Sequence, residues 1–247
     1  SEMEHTEKVV RNLDEARQLG LRVLPPSING SHHAFGVNGD GAIVFGLGGV
    51  KGVGAAAVSL IVGERDRGGP FRSLEDFCAR LDLKKLNRKT LETLIKSGCF
   101  DELEPNRGGL LEVLPQAMKL SEISRQNQQH RQEDMFGLFG GEEAGPASTL
   151  QIRPESAWTA AELSRQEKET LGLYLTSHPI AAVAAEVKAL TGGYRLADLS
   201  ADMAEWDEEK NHEVAIAGLI MDIYRGANKR TQKPLMDFTL DDGSDRH

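Results

Sequence analysis

Aromatic side chains are scarce, at 5% of 247 residues. A core with so few rings has to be filled by Leu, Val and Ala, which argues for packed helices. Cysteine is nearly absent. Cys78 and Cys99 alone exclude a disulfide framework and a zinc site. Both lie in apolar helical contexts, as buried thiols of a reducing cytoplasm do. No apolar run is long enough to span a bilayer, so no membrane partner is expected. No signal peptide opens the chain. His32 and His33 are adjacent but lack a third ligand at metal spacing. Paired carboxylates on a strand are missing, and so is a nucleophile with its base. Catalysis, a bound metal and a cofactor are therefore not expected of this segment by itself.

Apolar residues make up 39% and charged residues 27%, ordinary values for a soluble protein. The length suits one large or two small domains with a real core. The net charge of −9 argues by itself against nucleic acid. Its distribution argues otherwise. From Gly46 to Phe100 there are ten Lys/Arg against six Asp/Glu, so that segment is +4 and the remainder −13. A phosphate backbone responds to the local field rather than the total.

The chain is organised around Gly46-Leu-Gly-Gly-Val-Lys-Gly-Val-Gly-Ala-Ala-Ala-Val-Ser-Leu-Ile61, a glycine hairpin feeding a helix. A helix opening on bare glycines leaves unpaired N–H groups that suit an anion, and Lys51 adds a charge at the tip. A Walker loop, which ends in Gly-Lys-Ser/Thr, is excluded because Lys51 is followed by Gly52. A dinucleotide fingerprint on Gly52-Val-Gly54 fails because Gly63-Glu-Arg-Asp-Arg-Gly-Gly-Pro70 follows the helix, with no second strand. A helix-hairpin-helix remains, with Gly52, Val53 and Gly54 offering amides to a DNA backbone. A tight turn that only packs a helix fits the same residues.

A second unit of this shape follows. Ser73-Leu-Glu-Asp76 reads as a capping box, Asn87 as an N-cap, and Leu91, Leu94 and Ile95 as an apolar helix face that Gly98 closes. Lys84, Lys85, Arg88 and Lys89 cluster at its tip. A solvated turn would carry such charges too, but two units in tandem favour DNA.

Elsewhere, Glu7 to Leu19 has helical spacing, Leu21–Leu24 reads as extended, and Asn38-Gly-Asp-Gly41 as the turn of a β-hairpin. Arg107 to Gln129 is mostly helical, with Pro115 expected to kink it. Gln132-Glu-Asp-Met-Phe-Gly-Leu-Phe139 then places large apolar groups in polar, glycine-flanked surroundings, and an acidic linker follows. Thr159 caps a helix that ends near Gly172, and Pro179 starts another that runs to Leu190. From Glu213 two strand-like runs flank Arg225-Gly-Ala-Asn-Lys-Arg-Thr-Gln-Lys233. This is how an OB-fold begins, with a basic first loop (Arg225, Lys229, Arg230, Lys233) placed for single-stranded nucleic acid.

Taken together, Thr6-Glu-Lys-Val-Val10, Leu24-Pro-Pro-Ser-Ile-Asn29, Gly46 to Gly54, Lys84-Lys-Leu-Asn-Arg88, Leu94-Ile-Lys-Ser-Gly98, Gln132 to Phe136, Glu169-Thr-Leu-Gly-Leu-Tyr-Leu175 and His178-Pro179 resemble the alpha-subunit family of bacterial DNA polymerase III. The resemblance spans nearly the whole chain. It implies a mainly α fold with small β parts: the end of the fingers with a β-hairpin (1–45), a tandem helix-hairpin-helix and clamp-binding domain (46–140), a linker and helices (141–210), and the start of an OB-fold (211–247). It implies duplex DNA held by Lys51, Gly52, Val53, Gly54, Lys84, Lys85, Arg88 and Lys89. A sliding clamp is implied to dock on Gln132, Asp134, Met135 and Phe136, which match the family's pentapeptide. Single-stranded DNA at the OB domain, other holoenzyme subunits and a cytoplasmic location follow from the same likeness. The nucleotidyl-transfer palm and its Mg²⁺ have no counterpart here, so the segment is expected to be inactive alone. Two readings of other classes remain. A helix-hairpin-helix repair enzyme needs a catalytic Lys or Asp beside the second unit, and Lys84 is the sole candidate. A structural helical scaffold is disfavoured by the tandem basic tips.

Overall fold

The computed structural model describes residues 8–9, 12–13, 15–16, 19–134, 150–176, 178–203, 205–206, 212–227 and 234–244. They fall into two compact units, 1–175 and 176–247. The fold is mainly α with small β parts, as the composition indicates.

In the first unit the described residues between 8 and 16 are helical and bury Leu13 and Ala16. Three two-residue strands follow: β1 (Val23–Leu24), β2 (Gly36–Val37) and β3 (Ile43–Val44). The expected hairpin forms between β2 and β3, with the Asn38 carboxamide oxygen accepting from the amides of Asp40 and Ala42. The same β3 also pairs in parallel with β1, giving the sheet order β1-β3-β2. The loop between β1 and β2 is locked from three sides. Ile28 donates its amide to Cys99 O, and Asn29 exchanges two hydrogen bonds with the Phe71 backbone. Arg65 donates to Ile28 O and Ser31 O at 3.2 and 2.7 Å.

That buried arginine corrects one boundary. The sequence places the end of the first helix at Gly63, but α1 spans Ala55–Gly68. Arg65 holds the extra turn against the core, and Gly69, with φ +78°, ends it. Helix α2 (Leu74–Arg80) is capped by the Ser73 hydroxyl, which accepts from the Asp76 amide. Helix α3 (Arg88–Lys96) is capped by Asn87, which accepts from Thr90. Helix α4 (Arg107–Asp134) runs five residues past the expected Gln129 and keeps Pro115 inside it at an exposed position. Helix α5 (Ala160–Leu171) has the Thr159 cap and the left-handed Gly172 stop that the sequence indicates.

One continuous core joins these elements. Phe77 meets Phe100 edge to face and Phe71 at a tilt, in one cluster with Leu47, Ile61, Leu86, Leu91, Leu94, Leu110 and Leu114. Each such side chain contributes about 1.5–3 kcal/mol of transfer free energy when fully buried. Residues 150–158 lie back along the start of α4. Gly108 permits this, since a Cβ there would sit 2.0 Å from the Ser156 carbonyl.

In the second unit the expected single helix from Pro179 is split. A 3-10 turn, Pro179–Val183, precedes α6 (Ala184–Thr191). His178 caps the turn through its ring nitrogen, and the Ala181 amide bonds to His178 O with tight i+3 spacing. Val183, at φ −119° and ψ 20°, then leaves the helical region before α6 begins. Helix α7 (Leu196–Met203) and an antiparallel pair, β4 (Leu219–Ala227) and β5 (Pro234–Asp241), complete the unit. Arg225 is exposed on β4, while Lys229, Arg230 and Lys233 lie outside the described residues. Among the described residues no helix is long and apolar enough to cross a membrane.

Candidate nucleic-acid interface

The glycine hairpin opens with a single 3-10 turn, Leu47–Gly49, and then a tight turn across Val50–Val53. The Val53 amide donates to Val50 O at 3.1 Å, and Gly52 takes φ +81°, the third position of a type II turn. Val53 is buried in the core together with Val50, Ala57 and Val58. Its amide is therefore spent within the turn, which narrows the expected trio. The amides of Gly52 and Gly54 have no partner among the described residues. Gly54 is the N-cap of α1 without a side-chain cap, and no acidic residue stands in the first turn. The next two amides, of Ala55 and Ala56, belong to exposed residues. This arrangement leaves helix-terminal donors facing solvent, where the helix dipole adds positive potential.

Gly54 is informative because the fold does not require it. Its φ is −76°, and a Cβ there would meet nothing within 4 Å. Gly46 and Gly49 differ: a Cβ on either would collide with the chain, at 2.5 Å from Ala34 and 2.8 Å from the Phe45 ring. A glycine without an internal reason leaves the surface open for a partner's close approach.

The second tip is built differently. Lys84 and Lys85 donate their amides to Asp82, to its carboxylate and its carbonyl respectively. The turn thus offers few free amides, and its side chains are what it presents. Lys84, Lys85, Arg88 and Lys89 are exposed. Arg88 bonds Glu92 at 2.7 Å, so part of its charge is balanced, whereas Lys51, Lys84, Lys85 and Lys89 have no ion pair among the described residues. Several other cations of the basic segment are also committed. Arg65 is buried, and Arg67 and Arg80 share Glu64, whose carboxyl is held below its ordinary range chiefly by the bond from Arg67. Arg80 also lies 4.5 Å over the Phe71 ring. Among the described residues, the cations of this segment left without an ion pair are the lysines at the two tips together with Arg72 and Lys96.

Two signals escaped the sequence reading. One is the Lys51 amide, which donates to Thr170 O at 2.8 Å and ties the tip to α5. No local pattern announces so distant a backbone contact. The other is the buried Arg107, bonded to Asp101 and Glu167. A lone arginine after Asn106 at a helix start gave no cue. Of the residues expected from the sequence to dock on a clamp, Gln132 and Asp134 fall in the last turn of α4, while Met135 and Phe136 lie outside the described residues. Among the described residues no group of three or more His, Cys, Asp or Glu could hold a metal ion.

A glycine turn feeding α1 and a capped α2–turn–α3 unit present basic tips from one core, and a family model described as a helix-hairpin-helix motif matches residues 20–110. Along its whole length the chain is homologous to a segment of DNA polymerase III subunit alpha. It is 40% identical over 247 residues to that subunit of Escherichia coli strain K12, covering 100% of this chain and 20% of that protein. It is 38% identical to the subunit of Haemophilus influenzae, with 100% and 20% covered, and 36% identical to that of Xylella fastidiosa, with 96% and 20% covered. The chain spans about a fifth of the length of the curated relatives it matches.

Proposed function

We propose that this chain is the part of a replicative DNA polymerase alpha subunit that grips duplex DNA by its phosphates and tethers the enzyme to a sliding clamp. The observation that carries the DNA half is the open N-terminus of α1, where Gly52 and Gly54 present unpartnered amides beside the unpaired Lys51. Amides seat a phosphate by shape, and the lysines of the second tip add charge. Such contacts position the protein without reading sequence. The relatives' name, DNA polymerase III subunit alpha, supports the replication context. Nucleotidyl transfer, with its Mg²⁺, belongs in this reading to other parts of the larger protein.

The clamp half rests on Gln132, Asp134, Met135 and Phe136, whose adjacent apolar pair in a polar stretch is what a docking peptide needs. A role of the β4–β5 hairpin in binding single strands, other holoenzyme partners and a cytoplasmic location belong to the same proposal. Titration of a fluorescent duplex tests the grip. Affinity should be indifferent to sequence and fall with salt, at a log-log slope of about −0.9 per phosphate neutralised. Binding that depends on one sequence, or is insensitive to salt, would refute it.

A further inference from the structure

The first hairpin tip does not stand on the helix-hairpin-helix segment alone. The Lys51 amide, at the second position of its turn, donates to Thr170 O in the last turn of α5. Helix α5 lies outside residues 20–110, the span matched by the helix-hairpin-helix model. One turn earlier, Glu167 is fully buried. It accepts from Arg107 Nη2 at 3.2 Å and from the Leu175 amide at 2.9 Å. Arg107 in turn donates to Lys96 O, the last residue of α3, at 3.1 Å. Residues three apart share a helix face, so one buried face of α5 holds the first tip through Thr170 and reaches the end of the second hairpin's helix through Glu167 and Arg107.

We propose that α5 is a positioning element of the duplex grip, fixing the glycine tip relative to α3 so that the two tips meet phosphates in register. The inference rests on the reading of the tip as a phosphate seat. It assigns Thr170 and Glu167 a role in DNA affinity although neither needs to touch DNA. Positioning of this kind changes affinity without changing the number of phosphates neutralised, so it leaves the salt slope alone.

Two substitutions at one position separate charge from positioning in the 247-residue chain. Lys51→Ala removes the charge and keeps the amide. Lys51→Pro removes both, and proline suits the second position of a type II turn. Lys51→Ala should weaken duplex binding a few-fold and make the salt slope shallower by about 0.9. Lys51→Pro should bind at least tenfold more weakly than Lys51→Ala, with the same slope as Lys51→Ala. Equal affinity of the two variants would overturn the proposal. Amide hydrogen exchange in the unsubstituted chain gives a second readout that does not depend on how the proline variant folds. The Lys51 amide should be protected to the level of the α5 amides, and Glu167→Gln should both speed its exchange and weaken duplex binding at unchanged slope. A Lys51 amide exchanging as fast as that of Gly52, or one indifferent to Glu167→Gln, would overturn it. Failure of the unsubstituted chain to bind duplex would instead refute the functional reading, while Lys51 exchange would still decide whether α5 pins the tip.

Discussion

Arg107 and Glu167 form an ion pair at 3.2 Å with their side chains 2% and 0% exposed. Removing two charges from water is costly, and the pair persists because its remaining valences are filled. Arg107 also bonds Asp101 at 2.6 Å and the Lys96 carbonyl. Burial pushes the Asp101 carboxyl up from its ordinary range, against the pull of the Arg107 bonds. Gly98 makes room for this arrangement: a Cβ there would lie 2.4 Å from Arg107 Nη2, and its φ of +83° is one that glycine adopts without strain. The pair thereby joins α3, α4 and α5 at one point.

Truncating one partner should therefore be severe. Arg107→Ala leaves Glu167 buried without its cation and is expected to cost about 3–5 kcal/mol of stability, read from urea denaturation midpoints. Asp101→Asn should cost less, because Asp101 is 27% exposed and water can replace part of what is lost. Equal effects, or a loss below about 1 kcal/mol for Arg107→Ala, would contradict the account.

At Gly54 stability and binding should move in opposite directions. Serine is a better N-cap than glycine by a few tenths of a kcal/mol, and the position has open space and φ −76°. Gly54→Ser should raise the thermal midpoint slightly while weakening duplex binding, since the new side chain covers the donors and competes for them. A gain in both would show that the glycine is not there for a partner.

Much of this was legible in the sequence because it is local. Ser73, Asn87 and Thr159 cap the helices that their spacing marks, and Gly98 and Gly172 end theirs. The glycine and lysine tips are contiguous in sequence, so they could be read directly. What the sequence hid is long-range. Arg65 lengthens α1 by bonding carbonyls more than thirty residues away, and β1 adds to β3 across a loop. Arg88 looked free in a basic run until Glu92, one helical turn on, came beside it. Neither the Lys51–Thr170 bond nor the Arg107–Glu167 pair has a pattern in the intervening residues.

The unequal burden of the four cations at the second tip gives another expectation. Lys84→Ala, Lys85→Ala and Lys89→Ala should each weaken duplex binding and reduce the salt slope, because their charges are exposed and unbalanced. Arg88→Ala should do so least, since Glu92 already balances much of its charge. Anisotropy titrations at several salt concentrations rank the four, and an Arg88 effect larger than the rest would reverse this picture.

The thiols offer a test by pH. Cys78 and Cys99 are buried, and burial pushes both up to about 12 from an ordinary 9.0. Their raised folded values favour the folded state by an amount that is fully present below pH 9.0 and is lost as pH rises from there toward about 12. The native chain should resist a thiol reagent at about pH 8, react fully once unfolded, and lose stability progressively above pH 9.0. Rapid labelling of the native chain would show that these sites open readily.

The sharpest expectation concerns the clamp peptide. Arg125 still bonds Asp82 and the Leu81 carbonyl. Nine further residues of α4, about 14 Å of helix at 1.5 Å per residue, carry the chain to Asp134. Gln126 and Asn127 are exposed along the way. Gln132 and Asp134 thus ride on the last helical turn, with Met135, Phe136 and the permissive Gly137 directly after it in the sequence. In the proposed function the apolar pair enters a pocket on the clamp, and Gln132 both donates and accepts at its rim. Met135→Ala with Phe136→Ala should remove about 2 kcal/mol or more of clamp affinity, as loss of anchor residues does. The thermal midpoint and duplex affinity should stay unchanged, because the proposed function gives the pair to the partner. Clamp binding that survives the double substitution, measured by calorimetry, would reject the assignment, and a large fall in the thermal midpoint would place the two side chains in the fold instead.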